Sequence, residues 1–206
     1  MQFPEFLLRQ LAQPHGWFAP ITAWLLNRGN GDQIQRAIAA LELASHHKVL
    51  DIGFGGGQGF PTLLRVCSEG KVAGIDPAET MVRRARRIWS REIEAMRLQI
   101  EHGSVSSLPW DEGRFDRVMT VNTIYFWEDL EAGLHEVRRA LAPGGAFLIS
   151  VLPPQTLERW GYTGQGFRVA APSFYAEAFR AVGFDEVTVQ ETGDRRKSIV
   201  VRGMHP

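Results

Sequence analysis

The sequence predicts an α/β fold: a mostly parallel sheet of seven strands with helices on both faces, a terminal antiparallel hairpin and a helical N-terminal cap. Three observations predict it. Short apolar runs alternate with helical patterns from residue 48 to residue 152. The first of those runs passes directly into a glycine cluster, VLDIGFGGGQGF, residues 49–60. The last two runs, FDEVTVQE and SIVVRGM, flank TGD and read as a hairpin.

Residues 1–45 carry helical spacing and no strand signal: Phe3, Phe6, Leu7 and Leu11 share one face, as do Ile34, Ile38 and Leu41. QPHGWFAP (13–20) and NRGNGD (27–32) read as breakers between these helices. Residues 1–45 form the cap and 46–206 the main body of one domain. KVLDI (48–52) is a buried strand, and Pro61 starts the helix after the glycine loop. KVAGID (71–76) is the second strand, followed by a helix over 78–95 with Met81, Ala85 and Ile88 inward. RLQIEHG (97–103) and RFDRVMTVN (114–122) are the third and fourth strands. Trp127, Leu130, Leu134, Val137 and Leu141 step by three and four along the next helix, which stops at APGG. AFLISVL (146–152) is the fifth strand, 153–172 a long loop, and 173–182 a helix ended by Gly183. The arrangement is Rossmann-like, with its ligand expected at the carboxyl ends of the strands.

Charge narrows the partners. Lys plus Arg and Asp plus Glu both number 23, so no electrostatic footprint for nucleic acid or an anionic membrane exists globally. Arg83, Arg84, Arg87 and Arg91 make one basic helix face, read as a solvated surface. Cys67 is the sole cysteine, which excludes an internal disulfide and points to a reducing, cytoplasmic setting. The N-terminus lacks signal-peptide character, and no apolar run approaches the roughly 20 residues that span a bilayer. The histidines are scattered, with His46 and His47 read as solvated and His135 as surface, so no metal is expected.

The glycine loop limits the ligand. No Lys follows its glycines, which excludes a phosphate-cradling P-loop. A dinucleotide fingerprint needs a third glycine at 58, 60 or 62 in the three registers, and those positions hold Gln58, Phe60 and Thr62. Asp51 ahead of the glycines would repel a pyrophosphate and suits an amine or a cation. Asp76 ends the second strand, where an acid grips a ribose diol. S-adenosylmethionine fits a nucleoside that carries positive charge and no pyrophosphate.

On these residues the chain resembles the class I S-adenosylmethionine-dependent methyltransferases, nearest the small-molecule group that includes the ubiquinone and menaquinone C-methyltransferases. VLDIGFGGG, VAGIDPAETMVRRAR, HGSVSSLPWDEGRFDRVMTVNTIYFW and LHEVRRALAPGGAFLIS carry the resemblance, in family order over residues 47–151. It implies that Asp51, Gly53 and Gly55, with Phe54 and Gly57 in the same turn, hold the methionyl end of the cofactor. It implies ribose binding by Asp76, and Pro77 and Met81 beside the adenosine. Ser104 stands where the family usually has an acid for adenine, with the Val105 N–H beside it. Asn122 faces the sulfonium end or caps a turn. Thr123 and Ile124 break the Asn-Pro-Pro-Tyr motif of enzymes that methylate nucleic-acid amines.

Methyl transfer from a sulfonium is in-line displacement onto an activated donor, so alignment and a dry site matter more than a triad. No catalytic residue is assigned; His15 and Tyr125 are the candidates, His15 also reading as an ordinary loop histidine. Trp17, Phe18, Tyr125, Trp160, Tyr162 and Phe167 are candidate walls for a small-molecule acceptor, and Trp127 reads as core. A homodimer stays open. A catalytically silent adenosyl-binding module and a nicotinamide oxidoreductase are the rival functions.

Overall fold

The computed structural model describes residues 19–159, 168–193 and 197–206, with backbone alone for 19–29. His15, Trp17, Phe18, Trp160, Tyr162 and Phe167 lie outside the described residues.

The elements run α1 (Ala19–Ala40), β1 (Lys48–Ile52), α2 (Phe60–Val66), β2 (Lys71–Asp76), α3 (Glu79–Ile88), α4 (Ser90–Glu94) and β3 (Leu98–His102). Then follow β4 (Phe115–Val121), a 3₁₀ turn at Ile124–Phe126, α5 (Leu130–Ala140), β5 (Leu141–Val151), α6 (Pro154–Arg159), α7 (Pro172–Ala181), β6 (Asp185–Thr192) and β7 (Ser198–Met204). The seven strands lie in the order β3-β2-β1-β4-β5-β7-β6. β1 pairs parallel with β2 and β4, while β7 is antiparallel to both β5 and β6. The predicted seven-stranded sheet with one reversed strand is therefore present, and its topological switch falls between β1 and β4.

Alternation along β1 decides what each face receives. Leu50 and Ile52 enter a core with Leu134 and Val137 of α5 and Tyr175 and Phe179 of α7. Val49 enters the opposite core with Ala37, Ile38 and Leu41 of α1, Phe60 and Leu63 of α2, and Met81, Val82 and Ala85 of α3. Burial of these apolar side chains, each worth about 1.5–3 kcal/mol for a Leu, Ile or Phe, is what seats the helices.

Several expectations are corrected. NRGNGD does not interrupt α1, which runs through it. Each helical glycine costs about 1 kcal/mol, and the packing of α1 on the sheet outweighs that. The helix expected over 78–95 divides at Trp89, whose φ of −104° and ψ of 25° end α3. Ile88 is consequently 52% exposed, and Trp89 packs edge-on against Phe60 in its place. The helix expected to begin at Trp127 starts after Asp129, whose carboxylate caps it by accepting the Ala132 N–H at 3.0 Å. Trp127 remains core, stacked on Phe147. Leu141 opens β5, five residues before the expected start, because it already pairs with Phe115. Part of the loop expected over 153–172 is the helix α6. His47, expected in solvent, is buried; its Nδ1 accepts the Ala44 N–H at 3.0 Å, and burial foremost lowers its pKa.

Two further features bound the fold. Arg86 covers the outer side of edge strand β3, donating from Nε and Nη2 to the Ile100 carbonyl at 3.0 and 2.6 Å. Arg83 pairs with Glu79 at 2.7 Å on an exposed helix face, as a solvated surface would. Among the described residues, no helix is long and apolar enough to cross a membrane.

Candidate functional site

The carboxyl ends of β1, β2 and β4 converge on the glycine loop. Gly53, Gly55 and Gly57 have φ of +71°, +53° and +72°, a left-handed series that non-glycine residues adopt at a cost of about 1–2 kcal/mol each. Gly53 has a second constraint. A Cβ there would stand 2.4 Å from Thr123 Cγ2, so β1 and the turn after β4 touch at the topological switch. Gly57 is crowded by the Phe60 ring. Gly55 is different: among the described residues, a Cβ there would meet nothing within 4 Å. Its backbone borders open space, as close approach by a ligand requires.

Asp76 ties this bend to β2. Its Oδ2 accepts the Gly55 N–H at 2.8 Å and its Oδ1 the Ala78 N–H at 2.9 Å. Burial still raises its pKa, against the pull of those two N–H groups and of His102. Asp51 is buried on the adjacent strand and accepts no hydrogen bond among the described residues. Burial, then the neighbouring Asp76, push it up to about 7. A buried acid so placed is stabilised by a cationic ligand group.

The tip of β4 carries a polar cluster. Asn122, with φ of +58°, joins Gln33 of α1 through a reciprocal amide pair: Nδ2 donates to Gln33 Oε1 at 2.9 Å, and Gln33 Nε2 donates to Asn122 Oδ1 at 3.2 Å. Gln33 Nε2 also donates to Ser150 Oγ at 3.1 Å. Tyr125 lies beneath. Its hydroxyl accepts the Leu152 N–H at 2.6 Å and donates to Asn122 Oδ1 at 3.2 Å. Burial raises the pKa of this phenol, against the pull of the Leu152 N–H, and so favours the protonated form. Thr120 and Thr123 hydroxyls meet beside it, and Thr120 Oγ1 donates to the Ile52 carbonyl at 2.8 Å.

The other sequence-selected residues spread around this centre. Phe54 is turned away, its ring 5.1 Å from that of Phe60 in the core. Met81 is likewise buried under the loop, whereas Pro77 is exposed and its carbonyl meets His102 Nε2 at 3.0 Å. Ser104 is exposed and its Oγ accepts the Ser106 N–H at 3.3 Å, while Val105 is core. Gln33 is the residue that sequence reasoning missed, because it adjoins the glycines taken as a breaker. The signal available was one polar position on the same helix face as Ala37, Ile38 and Leu41.

A separate groove of about 530 Å³ lies beside β3 and the amino ends of β1 and β2, lined in part by Lys48, Lys71, Glu94, Met96 and Gln99. Ligands of open α/β sheets bind at the opposite ends of the strands. Among the described residues, no group of three or more His, Cys, Asp or Glu side chains is arranged to hold a metal.

A family model described as a methyltransferase domain matches residues 49–145, the span from β1 into β5. The chain is 25% identical over 170 residues to an uncharacterized methyltransferase, YdaC, of Bacillus subtilis, covering 82% of this chain and 89% of that one. It is 29% identical over 199 residues to the erythromycin 3''-O-methyltransferase of Saccharopolyspora erythraea, covering 87% of this chain and 63% of the relative. A solved SAM-dependent methyltransferase from Aquifex aeolicus shares the fold over the whole of both chains, with a TM-score of 0.69 at 17% identity. The sheet order, the glycine bend between two strand-end acids and these similarities make the chain similar to the class I S-adenosylmethionine-dependent methyltransferases.

Proposed function

We propose that the chain transfers a methyl group from S-adenosylmethionine to a small-molecule acceptor by in-line displacement. One observation carries the reading: Asp51 and Asp76 stand on adjacent strands beside the Gly55 bend, whose backbone borders open space. Asp76 keeps lone pairs beyond those used by Gly55 and Ala78, and these accept the ribose hydroxyls. Asp51, without a hydrogen-bond partner among the described residues, compensates the cationic methionyl end. Backbone at Gly53, Gly55 and Gly57 lets the ligand lie close. Phe54 and Met81 support the pocket floor from the core rather than line it, and Pro77, Ser104 and Val105 border the adenosine. Asn122 reaches the sulfonium end from β4.

In this reading the protein supplies alignment, desolvation and charge compensation, which suffice for an activated donor. The small-molecule assignment is supported by the erythromycin-methylating relative and by the balanced charge of the chain. The test is incubation with radiolabelled S-adenosylmethionine and a fractionated metabolite pool. Label moving into a low-molecular-weight fraction with wild type, and not with Asp76→Ala, supports the proposal. Cofactor binding without transfer to any fraction points to a silent adenosyl-binding module. Binding of NAD(P) with none of S-adenosylmethionine overturns the reading.

A further inference from the structure

The polarity of the cluster at the β4 tip follows from one backbone group. The Leu152 N–H can only donate, so at 2.6 Å the Tyr125 oxygen is its acceptor. The single phenolic hydrogen is thereby left for Asn122, and the atom facing it is Oδ1. That assignment orients the Asn122 carboxamide, with Nδ2 toward Gln33 Oε1. Gln33 completes the lock: one hydrogen of its Nε2 serves Asn122 Oδ1 and the other Ser150 Oγ. Every position of the network is consistent, and one N–H of the Asn122 amide has no acceptor among the described residues. Asn122 is half-buried at the strand tip, so this N–H is available to a ligand.

Gln33 is well placed to hold that donor still. It is 4% exposed and joins α1 to the tips of β4 and β5 across 89 and 117 residues of chain. The same helix touches the glycine loop: Ile34 lies against Gly59, and Gln35 Oε1 accepts the Thr62 hydroxyl at 2.9 Å. α1 thus braces both sides of the switch point through one buried amide and its neighbours.

We propose that Gln33 is a positioning residue, fixing Asn122 as a hydrogen-bond donor to an oxygen at the methionyl end of the cofactor, its carboxylate. The inference rests on the methyltransferase reading. With Asp76 holding the ribose over β2, the cofactor runs along the strand tips, and its amino-acid end lies over β1 and β4. A fixed amide donor there matches a carboxylate and does nothing for the nucleoside.

The test titrates the full chain calorimetrically with S-adenosylmethionine, S-adenosylhomocysteine and 5′-methylthioadenosine, which retains the nucleoside and lacks the amino-acid end. Gln33→Met is expected to weaken the first two about ten-fold and to leave the third within two-fold of wild type. Equal weakening of all three ligands, or of none, overturns the proposal. If Gln33→Met does not fold, Tyr125→Phe replaces it; freeing Asn122 from the phenol should give the same selective loss, and an unselective one overturns the proposal. A wild-type protein that binds none of the three overturns the methyltransferase reading, and this inference with it.

Discussion

The Asp76 carboxylate receives the Gly55 N–H at 2.8 Å, so the acid at the end of β2 shapes the loop at the end of β1. One side chain is thereby both a building element of the glycine bend and, in the proposed function, a ligand-binding group. Asp76→Ala leaves two N–H groups without their acceptor and should lower stability by about 1–3 kcal/mol. Asp76→Asn, which keeps one acceptor oxygen, should lose less. Denaturant unfolding gives the stability difference, and titration with S-adenosylmethionine should show at least a ten-fold loss in both variants.

Gly53 and Gly55 separate folding from access. Gly53→Ala meets Thr123 at 2.4 Å and also takes a φ of +71°, so a loss of about 2–4 kcal/mol is expected from overpacking and backbone strain together. Gly55→Ala meets no neighbour among the described residues and carries only the strain of φ +53°, about 1–2 kcal/mol. The order should reverse in ligand titrations normalised to folded protein, because the Gly55 methyl projects into the open space. Equal unfolding midpoints for the two variants would contradict this assignment of contacts.

Asp51 gives the protein a particular pH response. Burial, with the charge of Asp76 second, raises it to about 7 in the folded chain, against about 4 when unfolded. Between those values the folded state retains a proton that the unfolded state has released. Stability from this group is therefore highest below about pH 4, declines as pH rises to about 7, and is level above. Thermal unfolding of ligand-free protein should show that decline, and Asp51→Asn should flatten it. In the proposed function, binding of the cationic cofactor below about pH 7 also releases a proton, seen as a heat that depends on the buffer.

Cys67 tests the core between α2 and the sheet. It is fully buried, and burial pushes its thiol up to about 11. A thiol reagent at neutral pH should react with it at the rate of unfolding and no faster. Rapid labelling of native protein would show that this core opens locally.

The strand and helix order was legible because alternating apolar runs and helical spacing carry it directly; β1, β2, β4 and α5 show this. The strand-end acids were legible because Asp51 and Asp76 break apolar runs at their tips. What escaped depended on contacts distant in the chain. Gln33 acquires its meaning only when α1 lies against Asn122 and Ser150, and Gly29 and Gly31 made that helix look broken. Phe54 read as a ligand contact because it stands among the glycines, yet Phe60 and the bare backbone of Gly74 provide a better apolar seat. Ile88 and Trp89 exchanged places because helical spacing predicts a face and cannot anticipate where a helix ends. His47 looked polar and therefore exposed, whereas the Ala44 N–H gives it a partner inside.

Arg86 on the Ile100 carbonyl bears on how this molecule behaves in a crowd. β3 borders the sheet, and an edge with vacant acceptors invites the strand of another molecule to extend it. Here the outward carbonyl at mid-strand is already occupied by a cation, which a docking strand would have to displace. The guanidinium thus acts as a gatekeeper at this edge of the sheet, opposing its extension by a strand from another molecule.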